Sequence, residues 1–178
     1  MAEKGYVTLA FDYSFGGESG GEPRHISSPE IYAEDFSAAV DFIGTRAFVD
    51  RNRIGVIGIC GSGGFAISAA QVDPRMKAIA TVSMYDMGAA SRQGLSATPD
   101  RSQIANTLRA INEQRWTDYE KGTLAMRPGV PEKLTKDSNA VEKEFYDYYR
   151  TPRGQHPRAP TDLSVTRSAA LKIFYPSD

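Results

Sequence analysis

One stretch of the sequence decides the fold: Arg53-Ile54-Gly55-Val56-Ile57-Gly58-Ile59-Cys60-Gly61-Ser62-Gly63-Gly64-Phe65-Ala66. Its apolar, β-branched first part predicts a buried strand that stops at a cluster of small residues. The residues that follow, 65–71, predict a helix. A chain that turns directly from strand to helix leaves one side chain exposed at the turn, and the first free N–H groups of the helix point toward it. The sequence places Cys60 there, because it is the first residue after the apolar run.

The spacing around Cys60 fits a nucleophile turn of the G-x-S-x-G type with a thiol in place of the hydroxyl. Small residues are needed two positions before and two after the nucleophile, and this sequence has Gly58 and Ser62 there. Cys60 would lie at the amino end of a helix, where the partial positive charge favours a thiolate. The N–H of Gly61 is then a predicted oxyanion-hole donor.

Two further interpretations of the turn stay open. The run Cys60-Gly61-Ser62-Gly63-Gly64 also satisfies the pattern small-x-Ser-x-Gly, so Ser62 is an alternative nucleophile. A free cysteine can also be a small, unreactive part of the core. The choice between them depends on which side chain the turn exposes.

The same residues also allow a dinucleotide-binding module as an alternative function. Gly61-Ser62-Gly63-Gly64-Phe65-Ala66 matches G-x-G-x-x-A between a strand and a helix, and Asp86 lies near the ~20-residue separation that this fingerprint expects. Against this interpretation, a complete strand–loop–helix unit precedes the motif, whereas the fingerprint usually occupies the first unit of its fold.

The surrounding sequence predicts an α/β fold. Residues Gly5–Tyr13 indicate a buried strand, and a glycine-rich loop follows. A helix comes next, with Pro29 in its first turn and a capping box formed by Ser27 and Glu30. A further strand is predicted over residues 78–85. Strands that alternate with helices across short loops indicate a mostly parallel central sheet covered on both faces, which is a three-layer arrangement.

Two segments resemble the α/β-hydrolase superfamily, and within it the dienelactone-hydrolase-like and peptidase-S15-like microbial hydrolases. They are residues 5–13 with the following Gly-x-Ser-Gly-Gly-x-Pro loop, and residues 50–64. The resemblance covers residues 1–88 and implies a partial α/β-hydrolase fold whose fourth and fifth strands are these segments. It also implies that Cys60, a nucleophile familiar from dienelactone hydrolases, hydrolyses a small-molecule ester, thioester or lactone through an acyl-cysteine intermediate, without a cofactor.

The resemblance further implies elements that this sequence does not contain. The family has three strands before the one at Gly5, a second oxyanion donor after the third strand, an acid after the seventh and a histidine after the eighth. We therefore expect an internal part of a longer hydrolase, or an inactive fragment that assembles with a partner chain. Asp86 is a candidate acid, with a helix cap as the alternative. His25 and His156 are predicted to be solvated loop residues, because nothing places either beside Cys60.

Residues 89–165 predict a helical lid inserted within a single domain of residues 1–178. Helices are predicted at Ser102–Arg115 and Ser138–Arg150, and a short one at Ser168–Tyr175. This region mixes arginines with aromatic residues, but acidic residues are interspersed and the net charge of the chain is −1. We therefore expect a solvated cap and no binding of nucleic acid.

Composition predicts a cytoplasmic globular protein. The single cysteine excludes an internal disulfide and favours a reducing compartment. No apolar run approaches ~20 residues, so the sequence indicates no membrane insertion. One cysteine and two isolated histidines do not suggest a metal site. Apolar sheet edges around residues 7–11 and 80–84 predict self-association.

Overall fold

The computed structural model describes residues 1–93, 101–159 and 162–164. Two short 3₁₀ turns span Ala2–Lys4 and Arg51–Arg53. The helices and strands follow the order α1 Pro29–Gly44, β1 Gly55–Ile59, α2 Gly61–Val72, β2 Ala78–Val82, α3 Met87–Gln93, α4 Arg101–Lys121, β3 Met126–Pro128, α5 Ala140–Tyr149 and β4 Asp162–Ser164.

A β–α–β unit forms the centre of the described structure. β1 and β2 pair in parallel from Gly55 opposite Ala78 to Ile59 opposite Val82, and α2 connects them. β3 and β4 form a separate antiparallel pair. This α/β architecture confirms the predicted fold class, and it places the carboxyl ends of β1 and β2 at the same edge of the sheet.

The core lies between the parallel strands and the first two helices. α2 contacts both strands, and α1 contacts α2. Ala66 and Ala69 of α2 are completely buried, and small side chains there allow the neighbouring elements to approach closely. The Tyr32 ring of α1 packs edge-on against the Phe65 ring of α2 with 4.8 Å between centroids. α2 is therefore held from both sides, which fixes the turn at its amino end.

The predicted capping box of α1 is wrong. The helix begins at Pro29 with Ser28 as its N-cap, and the Ser28 side chain makes no capping hydrogen bond. Ser27 lies one residue too early, and it is buried where the Tyr32 hydroxyl donates to its Oγ at 3.3 Å. The two adjacent serines made the boundary ambiguous by one residue, whereas Pro29 occupies the first turn as predicted.

The predicted strand over residues 5–13 does not form in this structure. These residues carry no regular secondary structure, and residues 5–12 are exposed. A strand exists only through pairing with a neighbour, and within the described residues the parallel sheet contains only β1 and β2. The apolar pattern of this segment is therefore present without the partner that would make it a strand.

Two of the three helices predicted after residue 100 are present. α4 includes the predicted Ser102–Arg115 and continues to Lys121, and α5 lies inside the predicted Ser138–Arg150. The predicted helix at Ser168–Tyr175 lies outside the described residues, and the assignment of 89–165 as a lid stays a prediction. Within the described ranges, no helix has both the length and the apolar character needed to cross a membrane.

One face of the parallel sheet carries exposed apolar side chains. Ile57, Ile59 and Val82 are 47%, 61% and 50% exposed, although strands of a parallel sheet are normally buried on both faces. α1 and α2 cover the opposite face, where Val56 packs against the core. Covering this exposed face would therefore be energetically favourable.

We expect the isolated chain to associate through this face, since burial of apolar surface is favourable. Sedimentation velocity should show species larger than a monomer, and the unfolding midpoint should rise with protein concentration. Val82→Lys should weaken this association. Phe48→Lys is the matched control, because Phe48 is 73% exposed but lies in the turn after α1. A monomer at all concentrations would contradict the prediction.

Candidate active site

Cys60 occupies the junction between β1 and α2 in an unusual backbone conformation. Its φ of 59° and ψ of −130° lie outside the regions that non-glycine residues favour. Its N–H donates to the Val82 carbonyl at 2.9 Å, and its carbonyl accepts from the Gly63 N–H at 3.1 Å. The strained conformation, which costs about 1–3 kcal/mol, is therefore fixed by the strand on one side and by the helix on the other. The side chain is half-buried.

Gly58 is required by the close crossing of β1 and α2. A Cβ at this position would lie 2.5 Å from the Gly63 Cα and 2.8 Å from the Ser62 carbonyl oxygen. These atoms belong to the backbone and cannot rotate away. The steric reason given for a small residue two positions before Cys60 is thus present in the structure.

Ser62 binds the backbone at the end of β1. Its hydroxyl oxygen accepts from the Ile59 N–H at 2.8 Å, and the hydroxyl donates to the Ile59 carbonyl at 2.7 Å. To act as a nucleophile, Ser62 would have to give up both bonds. In this position Ser62 therefore stabilises the turn at Cys60.

The segment 84–87 packs against the glycine-rich first turn of α2. A Cβ added to each of three glycines would meet this segment: Gly61 at 2.7 Å from Met87 Sδ, Gly63 at 2.7 Å from Met84 Cγ, and Gly64 at 3.2 Å from the Tyr85 carbonyl oxygen. The three glycines therefore have a packing explanation, and a bound dinucleotide is not needed to account for them. The dinucleotide interpretation itself stays a prediction.

Tyr85 is the residue that this packing brings to Cys60. The Cys60 thiol donates to the Tyr85 hydroxyl oxygen with 3.4 Å between sulfur and oxygen. Burial, together with the hydrogen bond and charge of Cys60, raises the pKa of Tyr85 to about 12. The hydroxyl therefore keeps its proton at neutral pH.

Sequence analysis missed Tyr85 because it extended the third strand through residue 85. β2 ends at Val82, and Ser83 then takes a φ of 50°, which turns the chain. A usable signal was present in the sequence. Side chains that follow parallel strands meet at one edge of the sheet, so a tyrosine after β2 belongs beside a cysteine after β1.

A second tyrosine, Tyr149 of α5, also lies near the thiol. Its pKa is raised, first by burial and then by the negative charge that Cys60 carries as a thiolate. The Tyr149 ring packs edge-on against Phe145 and Tyr148, with centroid separations of 5.9 Å and 4.9 Å. The aromatic cluster on α5 is therefore within electrostatic range of Cys60.

Asp86 caps a helix, the alternative that accompanied its candidate role as an acid. Its Oδ1 accepts from the Ala89 N–H at 2.8 Å at the start of α3. It also lines a cavity of about 230 Å³ together with Phe65, Ile67 and Met84, and Cys60 is not part of that lining. The geometry therefore shows a structural use for Asp86 and no contact with the thiol.

Neither histidine bonds to Cys60 in the described part of the chain. His25 has a φ of 59° and donates its N–H to the Phe15 carbonyl at 2.8 Å. The Nδ1 atom of His156 accepts from the Arg158 N–H at 3.2 Å. Residues 1–93, 101–159 and 162–164 also contain no group of three or more histidine, cysteine or acidic side chains able to hold a metal ion.

Comparison with known proteins identifies the family of this chain. Residues 1–111 match the model of the dienelactone hydrolase family. The chain belongs to this family. The matched range contains the turn at Cys60 and the segment 84–87, so both parts of the candidate site lie inside the region that the family shares.

Three relatives illustrate the similarity. PA2218 of Pseudomonas aeruginosa is 51% identical over 89% of this chain and 43% of its own length, and YcjY of Escherichia coli is 41% identical over 98% and 57%. The crystal structure of PA2218 matches 97% of this chain and 54% of that one with a TM-score of 0.90. The α/β hydrolase GrgF of Penicillium is 22% identical and matches 92% of this chain and 52% of its own. Its TM-score of 0.64 shows the shared fold. The chain spans about half the length of the curated relatives it matches.

Replacing Gly58 by alanine should test the contact between β1 and α2. We expect the free energy of unfolding to fall by about 1–3 kcal/mol, because the added methyl group overlaps backbone atoms that must shift. Urea denaturation would measure the loss. Gly20→Ala is the matched control, since a Cβ there meets nothing within 4 Å. Equal losses in the two variants would contradict the close contact.

Proposed function

We propose that the turn at Cys60 is the nucleophile elbow of a hydrolase that acts on a small-molecule ester, thioester or lactone. One observation carries the proposal: Cys60 holds a φ of 59° between β1 and the amino end of α2. Strain of this kind is retained where surrounding structure enforces it, and it often accompanies function. Family membership supports the same conclusion.

The proposed reaction begins with attack of the Cys60 thiolate on the carbonyl carbon. A sulfur–carbon bond forms, and the carbonyl electron pair moves to oxygen, where the Gly61 N–H stabilises the negative charge. The first N–H groups of a helix have no acceptor inside the helix, so this donor is available. The oxyanion then reforms the carbonyl and expels an alkoxide or thiolate, which takes a proton from water. An acyl-Cys60 remains, which water hydrolyses.

The second half of the reaction needs a general base to activate water. The hydrogen-bond partner of Cys60 in the described residues is Tyr85, whose raised pKa makes it a poor base at neutral pH. We therefore propose that the base belongs to the remainder of a full-length hydrolase. In this proposal α5 and its aromatic cluster form part of a lid over Cys60, and the enzyme works in the reducing cytoplasm, where a thiol stays free.

This proposal predicts a separation of the two half-reactions in the isolated chain. An activated aryl ester or thioester should acylate Cys60, because that step needs only the thiolate and an oxyanion donor. Deacylation should be slow without the base, so intact-mass spectrometry should show one added acyl group per chain. Steady-state release of the aryl product should be weak or absent, since loss of even one oxyanion donor costs ~10²–10³ in turnover.

Two variants identify the acylated atom. Cys60→Ala should abolish the mass increase, whereas Ser62→Ala should keep it. Acylation that persists in Cys60→Ala and disappears in Ser62→Ala would mean that Ser62 is the nucleophile and Cys60 is not. Rapid turnover of the ester by the isolated chain would show instead that a base is present within it.

A further inference from the structure

The contact between Tyr85 and Cys60 joins two segments that the fold holds rigidly. Cys60 is fixed by its backbone bonds to β2 and α2. Tyr85 is fixed because its carbonyl oxygen lies against Gly64, while Met84 and Met87 fill the space over the neighbouring glycines. Backbone packing on both sides therefore places the two side chains, whose sulfur and oxygen atoms lie 3.4 Å apart.

The direction of this hydrogen bond depends on the state of the sulfur. A thiol can donate to the tyrosine oxygen, whereas a thiolate has no proton and can only accept. The raised pKa of Tyr85 keeps its hydroxyl protonated over the range in which thiols ionise. When Cys60 ionises, the Tyr85 hydroxyl can therefore rotate and donate to the sulfur without movement of either segment.

We propose that Tyr85 is a positioning residue for Cys60: its hydroxyl donates a hydrogen bond to the thiolate and orients the sulfur for attack. This inference deepens the proposed function and rests on Cys60 as the nucleophile. A hydrogen bond to a charged group is stronger than one between neutral groups. The bond thus favours the ionised sulfur and limits it to one direction.

The other polar side chains at this end of the sheet hydrogen-bond to the backbone. The hydroxyl of Ser62 is bound to the backbone of Ile59, and the carboxylate of Asp86 accepts from the Ala89 N–H. Between Tyr149 of α5 and Cys60 there is a charge interaction, which raises the pKa of Tyr149. Tyr85 is therefore the hydroxyl that bonds directly to the sulfur in the described structure.

The test compares iodoacetamide labelling of Cys60 across pH in the unchanged chain and in Tyr85→Phe. The variant keeps the aromatic ring of residue 85 and removes only the hydroxyl. We expect the midpoint of the labelling profile to rise by about one pH unit, because the thiolate loses a charge-assisted hydrogen bond. A purely structural role of the ring would leave the midpoint unchanged.

Tyr119→Phe is the matched control, since Tyr119 lies on α4 and is 90% exposed. It should leave the labelling profile as it is. An unchanged midpoint in Tyr85→Phe would overturn the proposal. A fall in the midpoint would also overturn it, because it would mean that the hydroxyl mainly accepts from the neutral thiol. Labelling does not require ester hydrolysis, so failure here is distinguishable from failure of the proposed function.

A reciprocal measurement tests the same hydrogen bond from the side of the tyrosine. In Cys60→Ala the sulfur and its negative charge are absent, so the pKa of Tyr85 should fall from about 12 toward the ordinary tyrosine value. The tyrosinate absorbance of Cys60→Ala minus that of Cys60→Ala/Tyr85→Phe isolates this one residue. An unchanged alkaline titration of Tyr85 would count against the bond.

Discussion

The contact between the backbones of β1 and α2 at Gly58 and Gly63 is the constraint on which the rest of the site depends. No Cβ fits between the two elements there, so the chain must reverse within a few residues. That reversal imposes the positive φ of Cys60 and leaves its side chain at the carboxyl edge of the sheet. The burial of Ala66 and Ala69 then holds α2 against the strands, so the energy of the core maintains the strain at the turn.

The glycine-rich first turn of α2 serves a second contact as well. Because Gly61, Gly63 and Gly64 lack side chains, the segment after β2 approaches closely and carries Tyr85 to the thiol. A sequence motif that suggests phosphate binding here provides a packing surface as well. Glycines at these positions allow the close approach of a phosphate group or of a neighbouring chain segment. The motif alone therefore does not show which of the two the glycines serve.

Sequence reasoning succeeded where structure is local and failed where it depends on distant partners. The strand, the turn at Cys60 and the helix after it follow from a single run of residues, and so do α4 and α5. Residues 5–13 have the apolar pattern of a strand. Whether a strand forms, however, depends on pairing with a neighbouring strand, and the sequence of one segment does not show that pairing. Tyr85 was missed for a related reason: an apolar run does not show where β2 stops, so a residue beyond its end was counted inside it.

The hydroxyl of Ser62 has a consequence for the open edge of β1. In a parallel sheet, successive residues direct their N–H and carbonyl groups to alternate neighbours. The Cys60 N–H points to β2, so the polar groups of Ile59 point to the other edge, where Ser62 satisfies both. A strand laid along that edge can extend its hydrogen-bonded ladder only as far as Ile57. Ladder pairing on that side therefore ends before the residue that carries the sulfur.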